Sequence, residues 1–159
     1  MDKKKILDRL RRSMARTMAA FRWDRKLLST SYAAGKWTAR EVLAHLSDSE
    51  LVFLARLRFM LAEENPIVQP WDADRWATKF TYRAGDIAEL RDTYALMRRT
   101  FVKLYKRADA KDLARPGRHP EFASYNVGFL AEYMLKHNEH HLEQLDAIKA
   151  GRTWSKTGE

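Results

Sequence analysis

Two histidines on one predicted helix are the first side chains in this sequence that could do chemistry. His137 and His141 are four residues apart, between Met134 and Leu145, at positions where the helical pattern predicts core. Four residues correspond to about 40° of rotation and about 6 Å of rise, so both imidazoles point to the same side of the helix. Burying an unpaired polar group costs about 1–3 kcal/mol, and two adjacent ones therefore need a partner.

A third histidine, His45, lies on or beside the apolar face of an earlier predicted helix, 92 positions before His137. Packed helices have axes about 8–10 Å apart, a gap that facing imidazoles and one ion can span. Three neutral imidazoles with an open position form the layout of a catalytic metal site, and bundle cores commonly hold one. The alternative is that these histidines are hydrogen-bonded core residues. Their spacing alone does not distinguish this interpretation from a metal site. His140 offers a second pairing with His137, although its neighbours place it toward solvent.

The composition of the 159-residue chain limits what else it can do. The chain contains no cysteine, which excludes disulfides, cysteine-ligated zinc, iron–sulfur clusters and a cysteine nucleophile. Hydrophobic residues make up 45% and charged residues 32%, as in a globular chain, and the length predicts a single domain over residues 1–159. The sequence has neither an apolar run of membrane-spanning length nor the apolar core of a signal peptide. We therefore expect a cytoplasmic protein with no membrane partner.

The formal net charge of +9 makes nucleic acid an alternative partner. The basic residues are densest at the start of the chain, where apolar residues recur between them as on an amphipathic helix. They do not form a recognised nucleic-acid motif or concentrate on one groove-reading helix. We therefore predict no specific nucleic-acid partner, and a basic nucleic-acid-binding protein is the least favoured alternative.

Four segments with helical periodicity must position the histidines. The first is predicted over residues 3–28, and the second begins at Thr38, whose capping box with Glu41 marks its start, and ends near residue 64. The third follows a cap at Asp86, and the fourth is predicted to begin at a Ser124 cap and to run to about residue 150. Together they predict an all-α chain folded as a four-helix bundle.

Long connections follow the second and third helices, over residues 65–85 and about 108–123, and a short helix is predicted over 72–80. A substrate reaches a metal in a bundle core only where loops or helix ends leave an opening. Both connections are therefore predicted to border a substrate pocket, with His119 nearby and basic residues that favour an anionic substrate. The alternative is that the aromatic residues of the first connection plug the bundle or form a dimer contact. These aromatic residues are Trp71, Trp76, Phe80 and Tyr82.

Two histidine-bearing motifs resemble those of the DinB-like (YfiT-like) superfamily. Residues 35–50, Gly-Lys-Trp-Thr-Ala-Arg-Glu-Val-Leu-Ala-His-Leu-Ser-Asp-Ser-Glu, resemble the family's Gly-Lys-Trp-Ser/Thr motif before a helix with the first histidine. Residues 137–145, His-Asn-Glu-His-His-Leu-Glu-Gln-Leu, are similar to its second motif, His-x-x-x-His-Leu-x-Gln. The segments 71–76 and 118–121 also resemble recurrent family loops. The resemblance covers nearly the whole chain, and the two histidine motifs together are more specific than either alone.

The resemblance implies a four-helix bundle, commonly a homodimer, in which His45, His137 and His141 hold one divalent metal. Three imidazoles suit zinc or nickel, with copper, iron and manganese as further candidates. Family members of known activity use the metal to activate a thiol cofactor for transfer or isomerisation, and many others are described as metal-dependent hydrolases. Neutral ligands would leave the charge of the metal unbalanced and so lower the pKa of a bound water or thiol.

The expected function is therefore a metal-dependent enzyme acting on a small molecule, either a hydrolase or a transferase using an exogenous low-molecular-weight thiol. Gln144 shares the helix face of two histidines and could orient a ligand. Glu50 is the other candidate for a supporting role at the site. It lies about 140° around the helix from His45, so a solvated or salt-bridged role is at least as open an interpretation. The alternative class is a metal-stabilised helical protein without catalysis, which a fourth protein ligand at the metal would favour.

Overall fold

The computed structural model describes residues 2–155. All regular elements in this range are helical, which confirms the predicted all-α bundle, and none of these helices is long and apolar enough to cross a membrane. A 3-10 turn also lies at Tyr82–Ala84. The α-helices are α1 (Lys3–Ala20), α2 (Arg25–Leu28), α3 (Ala39–Ala62), α4 (Ala73–Lys79), α5 (Ile87–Arg107), α6 (Ala110–Ala114) and α7 (Val127–Lys149).

The four long helices α1, α3, α5 and α7 form the bundle. Helix α3 packs against α5 and α7, and α1 packs against the same two helices. Two groups of buried apolar residues fill the interior, one around Leu57 and Phe101 and the other around Leu43 and Tyr94. On α7 these groups meet between residues 135 and 142, and this is the stretch that carries the histidines.

The caps that the sequence predicted begin α3 and α5. The backbone N–H of Thr38 donates to the Glu41 carboxylate at 2.8 Å, and the Thr38 hydroxyl accepts from the Glu41 N–H at 3.3 Å, which completes the capping box. Asp86 accepts from the N–H of Ala88 at 2.8 Å at the start of α5. Short helix α4 also lies where it was predicted, after an Asp72 cap.

Two predicted helix boundaries are wrong. Helix α1 ends at Ala20 rather than near residue 28, because Asp24 accepts from the Leu27 N–H at 2.8 Å and begins the separate helix α2. Helix α7 begins after an Asn126 cap rather than a Ser124 cap. Backbone pairing holds residues 125–127 extended against 115–117, through the N–H of Gly117 to the carbonyl of Tyr125 at 2.8 Å. The helix therefore cannot start earlier.

A buried ion pair between Glu50 and Arg98 joins α3 to α5. The two residues are 1% and 0% exposed, and Arg98 Nε donates to Glu50 Oε2 at 2.8 Å. The same guanidinium donates to the Leu10 carbonyl at 3.2 Å and to the Ser13 hydroxyl at 3.1 Å, which brings in α1. Burial raises the pKa of Glu50, and the charge of Arg98 opposes that rise. Glu50 therefore takes the salt-bridged role that the sequence left open.

Candidate metal centre

Two stripes of side chains, one on α3 and one on α7, form the candidate site. The α3 stripe consists of His45, Ser49, Phe53 and Arg56. The α7 stripe consists of Tyr133, His137, His141 and Gln144. Both follow the same spacing of four, four and three residues, which keeps each set on one face of its helix. Because α3 and α7 pack together, the stripes bring histidines from distant parts of the chain into contact.

The structure brings together the three histidines that the sequence singled out. One ring nitrogen of each of His45, His137 and His141 lies within 4.8 Å of the other two. The Nε2 atoms of His45 and His137 are 2.9 Å apart, and the three ring centroids are separated by 4.6 to 5.0 Å. Nitrogen donors this close can share one divalent ion, which imidazole nitrogens bind at about 2.0–2.1 Å in the case of zinc. His119 and His140 lie outside this cluster.

All three imidazoles are held neutral by their surroundings. Burial, and then the neighbouring histidines, lower the pKa of His45 and of His137 well below the ordinary value. Burial also lowers the pKa of His141 to about 4, although its hydrogen bond with Gln144 acts in the opposite direction. Since only the unprotonated imidazole binds a metal, the cluster is ready for a cation at neutral pH without first releasing protons.

Gln144 fixes the tautomer of His141. The Gln144 Oε1 atom lies 2.7 Å from His141 Nδ1, and because a carbonyl oxygen only accepts, Nδ1 carries the proton. His141 Nε2 then keeps its lone pair for a metal. The amide nitrogen of Gln144 lies 3.3 Å from His140 Nε2, a contact that helps to hold the amide in this orientation. Gln144 thus makes the contact that the expected orienting role requires.

Replacing Gln144 with leucine is expected to weaken zinc binding about 10–100-fold, because His141 loses the acceptor that sets its tautomer. Competition against a chromogenic zinc chelator measures the affinity. Glu143→Gln is the matched control, since Glu143 is the exposed neighbour of Gln144, and it should bind zinc like the wild type. An unchanged affinity in Gln144→Leu would show that Gln144 does not orient the site.

Two tryptophans enclose the ring of His45. The Trp71 ring stacks on it with centroids 5.3 Å apart and planes 10° apart, and the Trp37 centroid lies at 4.9 Å. Trp37 also lies 6.4 Å from the ring of His141. The Nδ1 atom of His45 is buried and has no hydrogen-bond partner within residues 2–155. Packing between the two indoles therefore holds the Nδ1 side of this imidazole, while its Nε2 atom lies 3.4 Å from the Ser49 hydroxyl and faces His137.

A cavity of about 190 Å³ lies against His45 and His137. Trp71 from the first long connection and His119 and Glu121 from the second contribute to its wall. Both connections therefore border the histidine cluster, in the arrangement that the sequence predicted for a pocket.

Of the four aromatic residues predicted to wall the pocket, only Trp71 lines this cavity within the described chain. Trp76 lines an adjoining groove of about 550 Å³, which shares Trp71 with the cavity. Phe80 is exposed, and Tyr82 is buried and donates a hydrogen bond to Asp48 at 2.6 Å. The prediction was wrong for Phe80 and Tyr82, which line neither opening, because aromatic composition does not reveal which ring faces inward.

The sequence analysis also missed Arg56, a buried cation in the wall of the same cavity. Arg56 follows His45 by eleven residues, which is close to three full helical turns. It therefore lies on the same helix face as His45, one residue before the core position Leu57. A charged residue in register with a candidate ligand was the signal that could have identified it.

The sequence profile of the DinB superfamily matches residues 6–145. A relative from Oceanobacillus iheyensis, named "Putative metal-dependent hydrolase", is 32% identical over 127 residues, which is 80% of this chain and 73% of the relative. A Bacillus cereus protein with the same name is 27% identical over 131 residues, 82% of this chain and 75% of the relative.

Two solved structures share the fold. YfiT from Bacillus subtilis, described as a probable metal-dependent hydrolase with an unusual four-helix bundle topology, superposes with a TM-score of 0.85 at 22% identity. The match covers 95% of this chain and 89% of YfiT. The mycothiol-dependent maleylpyruvate isomerase superposes with a TM-score of 0.73 at 12% identity, over 91% of this chain and 61% of that protein. At these identities the likeness establishes the bundle topology.

Proposed function

This chain belongs to the DinB superfamily, and from that premise we propose that it is a metal-dependent hydrolase of a small molecule. His45, His137 and His141 are the proposed ligands, and zinc or nickel is the proposed metal. When bound, a divalent metal supplies Lewis-acid activation of the attacking nucleophile. The three-histidine cluster and the relatives named for metal-dependent hydrolysis support this proposal.

The observation that carries the proposal is the cavity beside His45 and His137. A structural metal site is closed by four protein ligands, whereas a catalytic site leaves one position to water or substrate. Two of the three imidazoles here form part of a cavity wall, so a small molecule in the cavity would lie next to the ligand cluster. This placement favours catalysis over the alternative of a purely stabilising metal.

His119 lines the proposed substrate site and supplies a hydrogen-bond donor there. Its Nδ1 atom accepts from the backbone N–H of Glu121 at 3.2 Å, so in the neutral ring Nε2 carries the proton. Burial, followed by the charge of Arg56, lowers the pKa of His119 and favours this neutral form. His119 can therefore donate from Nε2 to a group bound in the cavity.

A thiol transferase is the second candidate. The chain has no cysteine, so a thiol nucleophile would have to come from another molecule. The bundle is shared with an isomerase whose name states its dependence on mycothiol, which is a reason to include thiols in the test.

Metal-loaded protein is expected to hydrolyse at least one member of a panel of small esters, amides and phosphoesters, without added thiol. Turnover should disappear when the metal is removed and return when zinc or nickel is restored. His45→Ala should be inactive under all conditions, because it lacks one proposed ligand. Equal turnover by metal-free and metal-loaded protein would contradict the proposal, and turnover only in the presence of a thiol would replace hydrolysis with thiol transfer.

A further inference from the structure

Arg56 is a buried guanidinium with unused hydrogen-bonding capacity. The residue is 8% exposed and lines both the cavity beside the histidines and the adjoining groove. Its Nη2 atom donates to the backbone carbonyl of Gln69 at 2.6 Å. Its Nε atom is buried and has no hydrogen-bond partner within residues 2–155. Leaving a charged donor buried and unpaired is costly, so this arrangement needs an explanation.

The neighbours of Arg56 do not neutralise its charge. Within residues 2–155, no ion pair includes Arg56. Its guanidinium carbon lies 6.0 Å from the centroid of the Phe53 ring. The buried Tyr125 hydroxyl is also nearby, and the charge of Arg56 opposes the rise that burial causes in the pKa of Tyr125, but a neutral hydroxyl does not offset that charge. Glu121 lines the same cavity but is exposed. The cavity wall therefore presents a positive charge that the described chain leaves without a carboxylate.

The fold treats its other deeply buried arginine differently. Arg98 is fully buried and is paired with Glu50 through two guanidinium nitrogens. Arg75, which lines the adjoining groove, is mostly exposed to solvent, and its Nε atom lies 3.9 Å from Asp72 Oδ2. Arg56 alone of these three is both buried and without a carboxylate within bonding distance. A carboxylate from a bound molecule would complete it in the way that Glu50 completes Arg98.

We propose that Arg56 binds the carboxylate of the substrate, so that the substrate is a small carboxylic acid. This inference rests on the proposed function, because it takes the histidine cluster as the place where the reaction occurs. The planar guanidinium matches a carboxylate through parallel N–H···O bonds, which are strong when buried. Arg56 stands three turns after His45 on one helix face, and helical side chains lean toward the N-terminus, which directs Arg56 toward the histidines. The carboxylate at Arg56 and the reacting bond at the histidines would therefore lie in one cavity.

Calorimetric titration with paired probes tests this inference. Phenylacetate and hydrocinnamate, and the neutral amide of each, are titrated into zinc-loaded and metal-free protein. We expect at least one acid to bind about tenfold or more tightly than its amide, in both forms of the protein. Arg56→Gln should remove the preference, because the shorter amide side chain is polar but carries no charge. Arg75→Gln is the matched control and should retain the preference.

The outcomes separate the inference from the proposed function. An acid preference that survives in Arg56→Gln, or acids that bind no better than amides to the wild type, would overturn the role of Arg56 while leaving the metal site intact. Protein that binds no zinc but keeps an Arg56-dependent acid preference would overturn the proposed function alone. Should Arg56→Gln fail to fold, Arg56→Lys replaces it, and retention of the full acid preference there would count against paired N–H donation by Arg56.

Discussion

Replacing His141 with alanine is expected to abolish stoichiometric binding of a divalent metal, and His45→Ala and His137→Ala should do the same. The three imidazoles supply one nitrogen each to a cluster in which those atoms lie within 4.8 Å of one another. Losing one of three ligands leaves a two-coordinate remnant that cannot hold the ion through exhaustive dialysis. Elemental analysis of untagged protein measures the loss.

The controls for this prediction are the two remaining histidines of the sequence, His119 and His140. His140 adjoins His141 and contacts Gln144, yet it lies outside the ligand cluster. His119 lines the cavity and is also outside the cluster. His119→Ala and His140→Ala should each retain one metal per chain. Full occupancy in His141→Ala, or loss of metal in His119→Ala, would show that the ligand set is different.

Metal binding should also stabilise the fold, because the proposed ligands come from two packed helices and the ion binds only the native arrangement. A chelator is therefore expected to lower the melting temperature of the wild type, and readdition of the metal to restore it. The same chelator should leave the melting temperature of His141→Ala unchanged. A wild-type melting temperature that stays constant after proven metal loss would contradict a site between α3 and α7.

Replacing Arg98 with methionine is expected to reduce the free energy of unfolding by about 3–5 kcal/mol. The substitution leaves the Glu50 carboxylate buried without its partner. It also removes the hydrogen bonds that Arg98 donates to the Leu10 carbonyl and the Ser13 hydroxyl. Urea denaturation followed by circular dichroism measures the change. The metal content of folded protein should remain at the wild-type level, because neither Arg98 nor Glu50 belongs to the histidine cluster.

A second substitution tests the physical reason for that loss. Replacing Glu50 with leucine in the Arg98→Met background removes the stranded charge, and most of the lost stability should return. Arg16→Met is the surface control, since its ion pair with Asp146 is about half exposed and should contribute no more than about 1 kcal/mol. A double variant as unstable as Arg98→Met would show that the stranded carboxylate is not the cause.

The bundle and its histidine cluster were predictable because their signals are local. Thr38 and Asp86 satisfy backbone N–H groups two or three residues away, so the sequence alone contains all the information that starts α3 and α5. The pairing of His137 with His141 follows from helical spacing in the same way. His45 could be added because it lies on or beside the apolar face of its predicted helix and because the resemblance to the two family motifs joined it to His137 and His141. The structure places it on the face of α3 that packs against α7.

The features that sequence analysis missed depend on contacts between distant residues. The start of α7 is set by backbone pairing of residues 125–127 with 115–117, which a search for capping residues cannot detect. Glu50 lies on a helix face whose partner, Arg98, comes 48 residues later. The walls of the cavity likewise depend on how two long connections fold over α3 and α7. Arg56 is the exception, since its register with His45 was visible in the sequence.

Anomalous X-ray diffraction from crystals of untagged, zinc-loaded protein tests the proposed metal centre most directly. We expect one strong anomalous peak per chain at the zinc absorption edge, lying between His45, His137 and His141. A nitrogen of each ring should lie about 2.0–2.1 Å from the peak. Zinc bound at another place in the protein, with these three rings free of metal, would contradict the proposed centre.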